Sequence, residues 1–163
     1  MKILRAILML FVVISFSATA QDVLTVKTIG YELARDIANA TLLECRKQGY
    51  QVSVVVVDRS GILQVAVRDE LAPRFTLEIA ERKANTVIMS GIDTGVFVKN
   101  RSDIQQEINH IDGLIMMRGG VLIEAAGAKL GAVGVSGAPG GDKDEACALK
   151  AISLIKDRLD FVD

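Results

Sequence analysis

The sequence predicts an α+β domain, with helices covering an antiparallel sheet, on three observations. Val52-Ser-Val-Val-Val-Val-Asp58 is a β-branched run bounded by turn residues, the pattern of a largely buried strand. Several other segments carry apolar residues at the helical period. The predicted strands are joined by turns too short for a parallel crossover, which favours antiparallel pairing.

Each element follows from local pattern. Thr28 is expected to cap a helix reaching Gln48, because Ile29, Leu33, Ile37, Thr41 and Cys45 share one face. Gly49 ends it, since glycine accepts a left-handed conformation. After the valine strand, Arg59-Ser-Gly61 turns the chain and Ile62 to Val67 returns as a hairpin partner, with Asp58 fixing the turn. Pro73 opens a helix to about Met89, with Phe75, Ile79, Thr86, Val87 and Ile88 on its apolar side. Glu78, Glu81, Arg82 and Lys83 mark its wet side, and Ser90-Gly91 stops it. Residues 92–101 read as a loop. Ser102-Asp-Ile-Gln105 resembles a capping box and starts a short helix to Asn109. Leu114 to Met117, Val121 to Glu124 and Ala128 to Val135 read as three further strands, the second of them an edge strand. Asp142-Lys-Asp-Glu145 caps a last helix, whose core face is Ala148, Ala151, Ile152, Ile155 and Leu159.

The first 20 residues have the form of a signal peptide. Lys2 and Arg5 precede an apolar stretch from Ile7 to Ile14, and Ser17-Ala-Thr-Ala20 ends in Ala-x-Ala. The apolar stretch is short of the roughly 20 residues that span a bilayer. Cleavage after Ala20 is expected, leaving a single domain from Gln21 to Asp163 in the periplasm or outside the cell. Of 19 basic residues, loss of Lys2 and Arg5 leaves 17 against 20 acidic ones. That balance, with no basic stripe, argues against a nucleic-acid partner. Absence of Trp and scarcity of other aromatics disfavour a stacking platform for sugars or bases. Cys45 and Cys147 lie on two predicted helices. They either pair, as export permits, or stay as two buried small side chains.

The ordered motifs resemble the GlcG/HbpS-like family, also called DUF336 or haem-degrading domains. The matching pieces are Val54-Val-Val-Val-Asp58 with Gly61, Ala72, Glu78-Ile-Ala-Glu-Arg-Lys-Ala84, Asp112-Gly-Leu114, Gly119-Gly120, and Gly131-Ala-Val-Gly-Val-Ser-Gly137 followed by Asp144-Glu-Ala-Cys147. The resemblance implies a profilin-like fold with a roughly five-stranded antiparallel sheet. It also implies haem or another tetrapyrrole as ligand, and assembly into homo-oligomers. In one respect the chain departs from the family pattern: Arg118 stands where a proline usually precedes the double glycine, making that rim more basic.

Candidate ligand-binding residues are His110, Arg118, Gly119, Gly120, Thr76 and Arg74. His110, the sole histidine, can ligate haem iron or another metal. One histidine does not make a multi-ligand zinc or copper site. Thr76 offers a hydroxyl to iron. Arg74, Arg82, Lys83, Arg101 and Arg118 are cations suited to propionates, and Arg118 leads because Gly119-Gly120 permit close backbone approach. Met116 and Met117 fall on opposite faces and read as packing residues. Gly134, Ser136, Gly137, Gly140 and Gly141 present amides near a helix start, but the adjacent acids Asp142, Asp144 and Glu145 repel an anion and read as caps. No nucleophile–base relay and no carboxylate pair across a cleft emerges. The expected function is therefore an exported small-ligand binding protein, with haem as the leading ligand. The alternatives are a self-associating structural or sensory module that contacts a membrane receptor, and a haem-degrading enzyme.

Overall fold

The structure, a computed structural model, describes residues 24–160. The signal-like segment lies outside them. The chain forms α1 (Tyr31–Lys47), β1 (Ser53–Asp58), β2 (Leu63–Arg68), α2 (Thr76–Ser90), α3 (Thr94–Asn100), a 3-10 turn (Ser102–Ile104), α4 (Gln105–Asn109), β3 (Gly120–Ala125), β4 (Ala128–Ser136), α5 (Gly141–Leu154) and α6 (Lys156–Asp160). The four strands make one antiparallel sheet in the order β2-β1-β4-β3. Helices α1 and α5 pack together on one face, and α2 covers the other.

This layering explains the unbroken valine run. Val54 and Val56 point to the α1/α5 side, among Val133, Val135, Val121 and Ile123. Val55 and Val57 point to the α2 side, among Ala80, Ala84, Val87 and Ala132. A strand covered on both faces has no position left for a polar residue until Asp58. There the carboxylate accepts from the Ser60 and Ile62 amides at 2.8 and 3.0 Å, fixing the hairpin turn as expected. At the far end of the pair the buried Asp69 accepts from the Val52 amide at 3.0 Å and pairs with Arg46 of α1 at 2.5 Å.

The α2 face is built from small residues. Gly134 of β4 lies opposite Gly120 of β3 and beside Val55 of β1. A Cβ at Gly134 would run into the carbonyl of Ala80, and one at Gly120 would meet Lys83, Val87 and Thr94. Helix α2 therefore lies directly on the backbone of the two strands.

Cys45 of α1 and Cys147 of α5 form a disulfide, with Cα atoms 5.3 Å apart. The bond closes a loop of 102 residues. In the chain-entropy account a loop of that size is worth about 4.7 kcal/mol.

Several expectations are corrected. Leu114 to Met117 is not a strand, and the sheet has four strands among the described residues. Side chains have taken the backbone groups a ladder would use: the Ile115 amide donates to Thr86 Oγ1 at 3.0 Å and the Met116 amide to Asn109 Oδ1 at 2.8 Å. The predicted loop over residues 92–101 contains α3, started at Asp93. The first helix begins at Tyr31 behind Gly30 rather than at a Thr28 cap. Phe75 is exposed, and Lys83, placed on the wet side, is buried.

Gly134→Ala is expected to lower stability by about 1–3 kcal/mol, the usual range for forcing an extra methyl into packed space. Urea unfolding measures it. A parental midpoint would mean that α2 does not rest on the sheet as described.

Candidate functional site

The charged centre of the molecule lies where α2, the 118–120 segment and the first turn of α5 meet. Lys83 falls on the buried stripe of α2, with Ala80 and Val87 one turn to either side, so its chain runs along the sheet toward the end of β4. Its ammonium is 1 % exposed. It donates to the Val135 carbonyl at 2.7 Å and to Asp144 Oδ2 at 2.8 Å. The other oxygen of Asp144 accepts from the Ala138 amide at 3.0 Å. Gly119 makes the room: at φ +118° it has no Cβ, and one would stand 2.8 Å from the lysine nitrogen.

The next residue of α5, Glu145, holds Arg118 through two bonds of 3.2 Å, Nε to Oε2 and Nη2 to Oε1. The carboxylate is mostly buried, whereas the guanidinium is about half exposed. The start of α3 completes the wall. Thr94 Oγ1 accepts from the Gly120 amide at 2.8 Å, and Asp93 Oδ1 from the Leu122 amide at 2.8 Å.

Burial sets the electrostatics. It pushes Lys83 below the usual lysine range and Asp144 above the usual carboxylate range. In each case the partner's opposite charge and the hydrogen bond between them oppose the shift. Asp93 is likewise raised, mainly by burial and further by Glu145 and Glu124, against the Leu122 amide. Arg118 is held in its charged form by Glu145. The Lys83–Asp144 pair is closed to solvent and internally satisfied, so it ties elements together. Arg118 is the group at this place that solvent reaches.

The candidate residues fall in separate places. Arg118, Gly119 and Gly120 are contiguous at the charged centre. Thr76 opens α2, where its hydroxyl donates to the Pro73 carbonyl and shares a 2.7 Å bond with Ser53 Oγ. Arg74 stacks on the exposed Phe75 ring, 3.9 Å from its centroid. His110 follows α4 in an exposed position, with Nδ1 2.6 Å from the Gln106 carbonyl. No hydrogen bond or ion pair joins His110 to Arg74, Thr76 or Arg118 among the described residues. Nor does any group of three or more His, Cys, Asp or Glu there suit a metal ion. Met116 is buried with Phe97 and Ile108, while Met117 is exposed. Asp144 and Glu145, read as caps, hold Lys83 and Arg118 instead. Sequence reasoning missed the Lys83–Asp144 bond, although Lys83 lies one helical turn from both Ala80 and Val87.

Lys83→Met or Asp144→Leu alone is expected to destabilise by about 3–5 kcal/mol, since either leaves one buried charge without its partner. The double variant should lose clearly less than the sum. Strict additivity in denaturant unfolding would show that the pair is not coupled. Asp93 has a pH signature. Its raised value means that the folded protein holds the proton more tightly than the unfolded chain. Asp93 thus contributes stability in acid that is lost as pH rises from the ordinary carboxylate value through the raised one. Asp93→Asn keeps an acceptor for Leu122 and removes this slope. Its stability relative to the parent should therefore rise as pH increases upward through the ordinary carboxylate value; a flat difference would refute the assignment.

Comparison with known proteins places this architecture. The family model described as haem degrading protein HbpS-like matches residues 29–153. The crystal structure of HbpS is 32% identical, covering 85% of this chain and 98% of that one, with a TM-score of 0.77. A double mutant of Streptomyces reticuli HbpS gives 30% identity over 85% and 94%, also at 0.77. The haem complex of PduOC shares the fold, at 22% identity over 77% and 94% with a TM-score of 0.67. No curated protein matches the sequence. With three-quarters of its length matched by the family model and HbpS superposing over nearly its whole chain, the protein belongs to the HbpS-like family.

Proposed function

We propose that the protein is an exported haem- or tetrapyrrole-binding protein that acts as a homo-oligomer. The observation that carries this reading is the family match over residues 29–153, joined to likeness with HbpS and with PduOC in its haem complex. Export is supported by the signal-like first 20 residues and by the Cys45–Cys147 disulfide, a bond that persists in oxidising compartments. The finer fold reading is a profilin-like domain.

Haem chemistry needs a ligand to iron and cations for propionates. His110 fits the first need. Its Nδ1 faces a carbonyl, so it carries the proton, which leaves the Nε2 lone pair for a metal. Thr76 fits poorly, because its hydroxyl is buried and already bonded to Ser53 and Pro73. Arg74 has no carboxylate partner among the described residues and suits a propionate. Arg118 can serve only by sharing or leaving Glu145. Bound haem would supply its iron as the group that takes the histidine; the protein's part is to seat the ring and meet its acids.

Self-association is supported by large apolar side chains left in solvent. Leu71 is 82 % exposed and Phe75 55 %, and both lie in the segment that follows the outer strand β2. Ile62 and Leu63, at the start of that strand, are also exposed. A second copy seated here would cover them and would close one side of a ligand bound near Arg74. The same features suit a sensory module that meets a membrane receptor.

The test is native mass spectrometry of the protein from its own compartment, followed by haem titration. A haem mass at fixed stoichiometry in a discrete oligomer is expected. His110→Ala should weaken haem affinity at least about tenfold, the loss of one coordinate bond's worth of preference, and shift the Soret band. Unchanged affinity and spectrum would remove His110 as ligand, and a ligand-free oligomer would favour the sensory module.

A further inference from the structure

We infer that the cavity between the β1–β2 turn and the 112–114 segment binds a small organic cation, a primary ammonium carried on an apolar body. The cavity is a shallow one, open to solvent, of about 330 Å³, and is lined by Ser60, Gly61, Asn85, Ile88, Met89, Asp112, Gly113 and Leu114. None of these is among the residues assigned to haem, so the proposal stands apart from that reading.

The central observation is Asn85. Its Oδ1 is the sole buried side-chain oxygen or nitrogen without a hydrogen-bond partner among the described residues. Native proteins rarely leave such an acceptor orphaned, and a ligand site is one setting in which they do. The rest of the amide is held loosely, with Nδ2 only 3.4 Å from the Gly113 carbonyl. The terminal torsion of asparagine is broad, so the amide can swing its oxygen toward the cavity at small cost. Two glycines lie beside the amide. Gly61 at φ +80° and Gly113 at φ +81° flank the amide, and a Cβ on either would stand 3.5 Å from Oδ1 or 3.8 Å from Nδ2.

The chemistry of the lining selects the ligand. Asn85, Ser60 and Asp112 each carry a side-chain acceptor among the lining residues, equal in number to the three donors of an ammonium. Asp112 is exposed and forms no ion pair among the described residues, and no basic residue lines the cavity. An anion would meet only Asp112. A neutral hydroxyl would satisfy one acceptor and leave two. Ile88, Met89 and Leu114 supply an apolar surface for the body that carries the nitrogen.

The probe is benzylammonium, added to isotopically labelled full-length protein and followed by NMR, with benzyl alcohol and benzoate as isosteric controls. Saturable shifts at Gly61, Gly113 and the Asn85 side-chain amide are expected for benzylammonium, with binding at least tenfold weaker for both controls. Asn85→Leu and Asp112→Asn should each weaken it at least tenfold while leaving the thermal midpoint near the parent's or above it. If Asn85→Leu fails to fold, the exposed Asp112→Asn carries the test alone. A side chain of lysine bears the same ammonium. Tighter binding of Nα-acetyl-lysine methylamide than of benzylammonium would assign the site to a partner's lysine, and the reverse to a free amine. Equal binding of benzoate, shifts confined to other regions, or an unaltered Asp112→Asn titration would overturn the proposal.

Discussion

Burying the ammonium of Lys83 is the constraint around which the α2 side of the molecule is arranged. Taking such a charge out of water is unfavourable by several kcal/mol even after relaxation. The fold offsets that with a carboxylate, a strand carbonyl and no competing solvent. Those two partners come from β4 and α5, so satisfying one side chain fixes α2 along β4 and fixes the first turn of α5 against both. The glycines follow from the same demand. Gly120 and Gly134 let α2 sink onto the strands far enough for the lysine to reach Val135, and Gly119 leaves space for its nitrogen. Helix α5 is then anchored on both sides within one turn, by Asp144 to α2 and by Cys147 to α1.

How far the sequence disclosed this depends on which physical signal each element carries. Four consecutive valines announce a strand covered on both faces, and Asp58 with Gly61 announces its turn. The edge position of β3 was equally legible. Leu114 to Met117 was not, because a four-residue apolar run has the same composition whether it pairs in a ladder or is bonded by side chains. Only Thr86 and Asn109, distant in sequence, decide the matter. Lys83 was misplaced because charge outweighed position. Thr76, Ala80, Lys83, Ala84 and Val87 follow the spacing of one helical stripe, and a lysine on that stripe signals a buried partner rather than a solvated face. The cysteines could be placed on helices, but pairing them required the register of α1 against α5, which no local pattern holds. For the candidate site, the sequence singled out Arg118, Gly119 and Gly120 but not the acids beside them, because Glu145 and Asp144 read as helix caps.

Satisfaction of polar groups separates what holds the fold from what remains for recognition. A ligand that drew on Lys83 or Asp144 would have to leave the other buried and unpaired. Arg118 is intermediate: a ligand carboxylate can meet its exposed fork, but releasing Glu145 would set that mostly buried acid free beside Asp93, whose own charge burial already disfavours. Ligand acids that share the fork are therefore favoured over those that replace Glu145. The Arg118 rim thus resists simple carboxylates more than its charge suggests.

The groups without such commitments gather elsewhere. Among the described residues, His110 has an outward nitrogen, Asp112 has no ion pair, and Asn85 turns an unbonded oxygen toward Gly61. Two of these lie on the turn that leads into the 114–117 stretch, where a fifth strand was expected, and Asn85 of α2 bonds the Gly113 carbonyl of that turn. In a ladder, alternate residues of that stretch would have been turned into the sheet and its backbone spent on neighbouring strands. Bonded instead to Thr86 and Asn109, the stretch keeps a fixed course and holds the turn before it in place. The departure from regular structure thus fixes the turn on which the proposed ammonium site depends, through side-chain bonds from Thr86 and Asn109 rather than through a ladder.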